Sequence, residues 1–339
     1  MHPIPVITDP FDTADQAIIA AFGKAHGLRL TREQVEAIAP LSPSRVIHSH
    51  RLRQAARDAH RVLVTVRADE SGLWRHLDHQ QPLLLRLPRS PDRVQPSILA
   101  IPIAWDQAQG TIEYMDGHAI IHSLPASDFF ARRAPLQQAA LGLLKPSEIP
   151  QINPSHDHWL LLADYWFQRG SFRRARSIYR RLLAASGQPD AEAWIGLGNI
   201  LVRQRRYAAA IPAFQAALEL DPEHPRALNN LAYAMWHANG DLNRALQLAQ
   251  RSIQIEPDNP LYLETIGGIY LKQGDPVQAA AYLEAATARA ENHPPEIQIA
   301  ILDQLIRAWR AADRPDLARQ NVDYRQKAFP HSPLPREFR

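Results

Sequence analysis

The second half of this 339-residue chain repeats itself. "HWLLLADYWFQRGSFRRARSIYRRLL" superimposes on "AWIGLGNILVRQRRYAAAIPAFQAALELDP" with a shift of 35 residues, setting Trp194 over Trp159, Gly198 over Ala163, Ala210 over Ala175 and Phe214 over Tyr179. Two further units continue through Leu231, Ala232, Ala245, Ile266, Gly267, Gly274 and Ala279, and a looser fifth carries Trp309, Ala318 and Pro330. A fixed period of this length means one small structural unit stacked on copies of itself. Each unit reads as two antiparallel helices. Small residues such as Gly198 and Ala210 let the helices approach, Trp194 and Phe214 fill the gaps, and Pro222 and Pro257 turn the chain toward the next unit.

The period near 34, the W-x-x-L-G of Trp194–Gly198 and the A-x-x-x-F of Ala210–Phe214 resemble the tetratricopeptide repeat family over about residues 155–330. The resemblance implies an all-α superhelix whose inner groove, lined by the first helix of each pair, binds a protein or peptide. By that register Asn199, Arg203, Arg226, Asn230, Tyr233, Trp236 and His237 project inward. Asn199 and Asn230 match the asparagines of repeats that clamp a chaperone's C-terminal carboxylate. Ile195 and Leu261 stand where two of the clamp's lysines would be, so the groove is expected to be mixed polar and aromatic and to hold an extended or helical segment.

The first half carries no repeat. "DPFDTADQAIIAAFGKAHG" reads as an amphipathic helix: Ile18, Ala21, Phe22 and Ala25 recur at helical spacing, and Gly27 stops it. Thr13 and Gln16 have the spacing of a capping box, and Asp12 and Asp15 suit the positive end of the helix dipole. Further helices are expected at about 31–39 and 50–60, then a strand at "RVLVTVRA", a short helix at "SGLWRHLDHQ", and strands at "PLLLRLP", "SILAIPIAW", "TIEYM" and "HAIIHSL". The helix "ASDFFARRA" and the strand "QAALGLL" follow. Helices first and an antiparallel sheet after them make an α+β domain.

This order, with "HGLRLTREQVEAIAP" and "SILAIPIAWD", resembles the double-glycine leader peptidases, papain-like cysteine peptidases that process bacteriocin precursors. The resemblance implies a papain-like fold without its chemistry. Ala14 stands where the cysteine nucleophile would be, Ser97 or Ile98 at the histidine, and Asp12 or a neighbour near the oxyanion hole in place of glutamine. Only Asp116, in "YMDG", falls about where the orienting acid would lie. A thiol peptidase needs thiolate, base and oxyanion donor together, so a non-catalytic cleft for an extended polypeptide is expected.

Composition narrows the alternatives. With no cysteine there is no disulfide, zinc–thiolate site, iron–sulfur cluster or thiol nucleophile. The net charge of +3 is interspersed apart from "RGSFRRARSIYRR", which argues against a nucleic-acid binder. The fifteen histidines include "HSH", "HLDH", "GHAIIH" and "HDH", but no HExxH; His118 and His122, on one strand face, stand about 14 Å apart, too far to share a metal. P-loop, dinucleotide and nucleophile-elbow motifs are absent. No metal or cofactor is expected, and no apolar run reaches the ~18 residues of a membrane span. "MHPIPVITDPF" is unlike a signal peptide, so a cytoplasmic chain is expected, with a periplasmic or envelope setting the alternative.

The sequence therefore predicts a peptidase-like domain over residues 1–145, a proline-rich linker over 146–158 and about five repeats over 159–339, the last degenerate and capping. The expected function is a non-enzymatic adaptor for a protein or peptide in a bacterial export, envelope or assembly system. The alternatives are a repeat scaffold with a relic first domain and a histidine-dependent metallohydrolase.

Overall fold

The computed structural model describes residues 14–39, 49–67, 73, 77, 82–90, 93–106, 108–116, 120–136, 139–151, 155–185, 190–291 and 293–338. The chain divides into two compact units, Met1–Arg169 and Gly170–Arg339.

The first unit opens with helices α1 (Ala14–Ala25), α2 (Arg32–Ile38) and α3 (Ser49–Asp58). Strands β1 (Val62–Arg67), β2 (Leu83–Ser90), β3 (Arg93–Asp106), β4 (Thr111–Asp116) and β5 (Ile121–Pro125) follow, then α4 (Ala126–Arg133), β6 (Ala139–Leu144) and α5 (His156–Gln168). The expected α+β order is present; the short helix expected at 71–80 lies outside the described residues except for Leu73 and Leu77. The strands form one antiparallel sheet in the order β1-β6-β2-β3-β4-β5. Ile18, Ile19 and Phe22 of α1 and Leu52 of α3 bury against Leu63, Leu84, Leu99, Ile101, Met115 and Leu143 on one sheet face. The uninterrupted run Leu83-Leu84-Leu85 is buried residue after residue, with both α1 and α4 packed against β2.

Thr13 of the expected capping box lies outside the described residues, and Gln16 does a different job. Its buried amide donates to the Ala39 carbonyl at 2.9 Å, tying α1 to the end of α2. A complete capping box stands on α2 instead: Thr31 Oγ1 accepts from Gln34 N at 3.2 Å, and Gln34 Oε1 accepts from Thr31 N at 2.9 Å.

β1 is an edge strand, and α5 covers it. The His158 ring satisfies both partners at once. Ser155 N donates to Nδ1 at 3.0 Å, which leaves the proton on Nε2, 2.8 Å from the Thr65 carbonyl. Asp164 of α5 pairs with Arg57 of α3 at 3.4 Å. The stretch expected as a linker is thus partly built in: Ile149 is fully buried and α5 begins at His156. The units divide after Arg169, so α5, which the repeat pattern claims from Trp159 onward, lies in the first unit.

The second unit begins with α6 (Phe172–Ala185) and continues as four helical hairpins: α7 (Ala191–Arg203) with α8 (Tyr207–Leu220), α9 (Pro225–His237) with α10 (Leu242–Ile255), α11 (Pro260–Gln273) with α12 (Pro276–Arg289), and α13 (Pro295–Ala311) with α14 (Pro315–Ala328). Each hairpin turns through one left-handed residue: Arg205, Asn239, Gly274 and Asp313, at φ 58°, 56°, 84° and 56°. The small residues sit at the crossings: a Cβ on Gly198 would lie 2.4 Å from the Phe214 ring. The eleventh residue of each second helix is buried, and it runs Leu182, Ala217, Ser252, Ala286 and Arg325.

That last member explains the looseness of the fifth unit. The Arg325 guanidinium forms a 2.6 Å ion pair with Asp303 of α13 and reaches the Ser332 carbonyl at 3.2 Å. The segment after α14 folds back, setting Phe338 under the guanidiniums of Arg307 and Arg310, with Glu337 paired to Arg307 at 2.7 Å.

Candidate protein-binding groove

The first helices α7, α9, α11 and α13 bind one another through a row of side chains. Glu192 of α7 accepts from Arg226 Nη2 of α9 at 2.6 Å and contacts His224 Nε2 at 3.1 Å. The His224 hydrogen bond, with the Arg226 charge adding to it, holds the Glu192 carboxyl below its ordinary range against the opposing effect of burial. Asn230 donates to Asn199 at 2.9 Å. The Trp236 indole lies on the bare backbone of Gly268, where a Cβ would come within 2.2 Å of the ring, and Lys272 of α11 donates to the Trp236 carbonyl at 2.9 Å. Gln304 of α13 donates to Glu264 of α11 at 2.6 Å.

The expected groove residues Asn199, Arg226, Asn230, Tyr233, Trp236 and His237 therefore make contacts within this unit. Asn199 with Asn230, Arg226 with Glu192, and Trp236 with Gly268 hold successive hairpins together. Tyr233 and His237 belong to an aromatic cluster with Trp236 and Tyr207 of α8: the His237 ring centre is 4.6 Å from Tyr207, 4.3 Å from Tyr233 and 4.2 Å from Trp236. Arg203 lies exposed at the end of α7.

Burial sets the electrostatics. His237, with its Nε2 buried and unpartnered, falls to about 4, chiefly from desolvation and then from the Lys272 charge. Desolvation lifts the Tyr233 phenol to about 12, with the Glu264 charge next. Glu264 rises to about 7 because it is buried, with only the Gln304 hydrogen bond opposing. Among the described residues, no lysine, arginine or histidine comes within ion-pair distance of it. Glu264, Gln304 and Tyr207 were not among the residues the sequence singled out. The available signal was positional: the fifth residue of each first helix reads Ile195, Asn229, Glu264 and Ile299, with one carboxylate among the four.

In the first unit Ala14 opens α1, and Ser97 stands in β3 opposite Pro88 of β2; the side chains of both lie outside the described residues. Asp116 ends β4 opposite Ala100, and its carboxylate accepts from His122 Nε2 at 2.8 Å and from Ile120 N at 3.1 Å. The same sheet borders a cavity of about 210 Å³ lined by Leu84, Leu99, Leu136 and Leu141 together with Thr65 and Arg86. Among the described residues no three histidine, aspartate or glutamate side chains converge as a metal site. His48, His76, Asp78, His79 and His118 lie outside them, as does the side chain of His50. No described helix is long and apolar enough to cross a membrane.

The tetratricopeptide repeat profile matches residues 160–217 and 195–260, and a second profile of the same repeat matches 236–305. Residues 160–305 are built of tetratricopeptide repeats. Cellulose synthase operon protein C of Xanthomonas axonopodis pv. citri is 28% identical over 171 residues, 47% of this chain and 11% of that protein. Sperm-associated antigen 1 of Mus musculus is 32% identical over 113 residues, 33% of this chain and 12% of that protein. The chain thus spans about an eighth or less of the length of these relatives. Among solved structures, the APC/C hetero-tetramer Cut9–Hcn1 aligns over 53% of this chain and 34% of its own at 18% identity, with a TM-score of 0.48. The repeats make this region a protein-interaction scaffold.

Proposed function

We propose that the chain is a non-catalytic adaptor that holds an extended polypeptide along the first helices of its repeats, in a bacterial export, envelope or assembly system. The observation that carries this is the row on α9, α11 and α13, where Tyr233, Glu264 and Gln304 combine an aromatic face with hydrogen-bonding groups. Such a mixed surface suits a peptide, which offers backbone amides and side chains together. The likeness to Cellulose synthase operon protein C supports the bacterial setting. The first unit is read as a peptidase-like domain without a nucleophile, in keeping with its helices-then-sheet order, the alanine at position 14 and the absence of cysteine. The about 210 Å³ cavity beside its sheet is the candidate second recognition surface.

The test is a pull-down from the source cell with the intact chain and its Tyr233→Ala variant, read by mass spectrometry. A protein enriched by the intact chain and lost with the variant supports the reading. A partner held equally by both removes the first helices from recognition.

A further inference from the structure

Among the described residues, Glu264 in the row of first helices has no lysine, arginine or histidine within ion-pair distance. We propose that the polypeptide bound along these helices presents a lysine or arginine side chain that ion-pairs with Glu264. This rests on the reading of the repeats as a polypeptide groove and names the chemistry of its occupant.

The geometry supplies three reasons. First, Glu264 Oε1 is fixed by Gln304 Nε2 at 2.6 Å, which orients the carboxyl without neutralising it. Glu192 and Asp303, by contrast, are matched within the chain, the first by Arg226 and His224 and the second by Arg325. Second, Tyr233 of the aromatic cluster lies close enough for the Glu264 charge to raise its phenol, and aromatic rings in the neighbourhood of a carboxylate favour a cationic head over an anionic one. Third, an ionised carboxylate in partial burial is costly until a counter-charge arrives. A bound cation removes that cost, whereas an acidic segment would add to it. Burial, opposed by the Gln304 hydrogen bond, already raises the carboxyl to about 7.

The neighbouring titratable groups leave the effect readable. From α9, Tyr233 at about 12 and His237 at about 4 keep their charge between pH 5.5 and 8. Lys272 on α11 is held by the Trp236 carbonyl and Asn239, and Arg205 approaches Tyr233 from the α7–α8 turn. On α13, Arg307 pairs with Glu337 and Asp303 with Arg325. Cation binding should therefore track the ionisation of Glu264 and strengthen as pH rises from 5.5 to 8.

The experiment selects random 12-residue peptides by phage display on the full chain at pH 8, then measures synthetic versions by calorimetry. The expected peptides share a lysine or arginine. Their affinity should fall at least tenfold when that arginine becomes citrulline, or lysine becomes acetyl-lysine, and equally with Glu264→Gln, whose melting curve confirms folding. The same peptides should weaken several-fold at pH 5.5. Peptides that lose affinity with Tyr233→Ala but not with Glu264→Gln would overturn the ion pair and leave the groove standing. Acidic peptides would overturn it in the same way. No binding peptide at all would overturn the ion pair and the groove reading together.

Discussion

Gln304 donates its amide to Glu264 across 2.6 Å, joining α13 to α11 through a carboxyl that burial has lifted from 4.5 to about 7. The folded chain thus holds this proton more tightly than the unfolded chain does. Glu264 lowers stability as pH climbs from 4.5 to 7 and contributes a constant penalty above that. Glu264→Gln is expected to stabilise the protein by about 2 kcal/mol at pH 8 and to change little at pH 4. Urea denaturation across pH checks both limits.

His237 carries the opposite slope. Its folded value near 4 lies below 6.5, so the unfolded chain binds more protons and stability rises as pH goes from 4 to 6.5. His237→Phe, which keeps a ring between Tyr207 and Trp236, should erase that rise. Between pH 4.5 and 6.5 the two groups offset each other, so each single variant should expose the slope of the other. A His237→Phe profile that matches the parent's between pH 4.5 and 6.5 would contradict the assignment.

Arg325 takes a place that earlier hairpins give to Ala217 and Ala286, and its pair with Asp303 is almost wholly buried. Arg325→Ala leaves that carboxylate alone and should cost about 3 kcal/mol. It should also release residues 329–338 to proteases, because the Ser332 and Pro333 carbonyls lose their donor. Adding Asp303→Asn should recover part of the stability. Thermal melts and limited proteolysis distinguish the three proteins.

Gly198 and Phe214 share one crossing, with 2.4 Å between a hypothetical Cβ and the ring. Gly198→Ala should destabilise the second unit by about 2 kcal/mol despite the better helix propensity of alanine. In a Phe214→Leu background the same change should cost clearly less, a non-additivity that a double-mutant cycle measures.

Arg205 holds the left-handed conformation that Gly274 adopts freely at the equivalent turn. Arg205→Gly should gain about 1 kcal/mol, and Gly274→Ala should lose a similar amount. Equal melting temperatures for Arg205→Gly and the parent would show that the turn is not strained.

The repeats were legible because their crossings admit few residues: Gly198, Ala210 and Phe214 are dictated by close packing and recur. The strands were legible for a related reason, since short apolar runs such as Leu83–Leu85 and Leu99–Ile101 are buried residue after residue. Contacts between distant segments left no such trace. Gln16 was read as a local cap, yet its amide crosses to Ala39, because a glutamine at a helix start serves either purpose equally well. The groove residues divided for the same reason. Position within a helix tells which side chains face a neighbouring hairpin, but only the packed structure shows that Trp236 is occupied by Gly268 while Glu264 has no counter-charge among the described residues.

The histidine that seals β1 has a practical consequence for dissecting this protein. His158 and α5 belong to the sheet they cover, although the repeat pattern assigns them to the helical half. A fragment ending near residue 150 would leave the Thr65 carbonyl and its strand open to pairing with a second copy, and would report self-association created by the cut. A severing point just after Arg169 keeps the seal with the sheet.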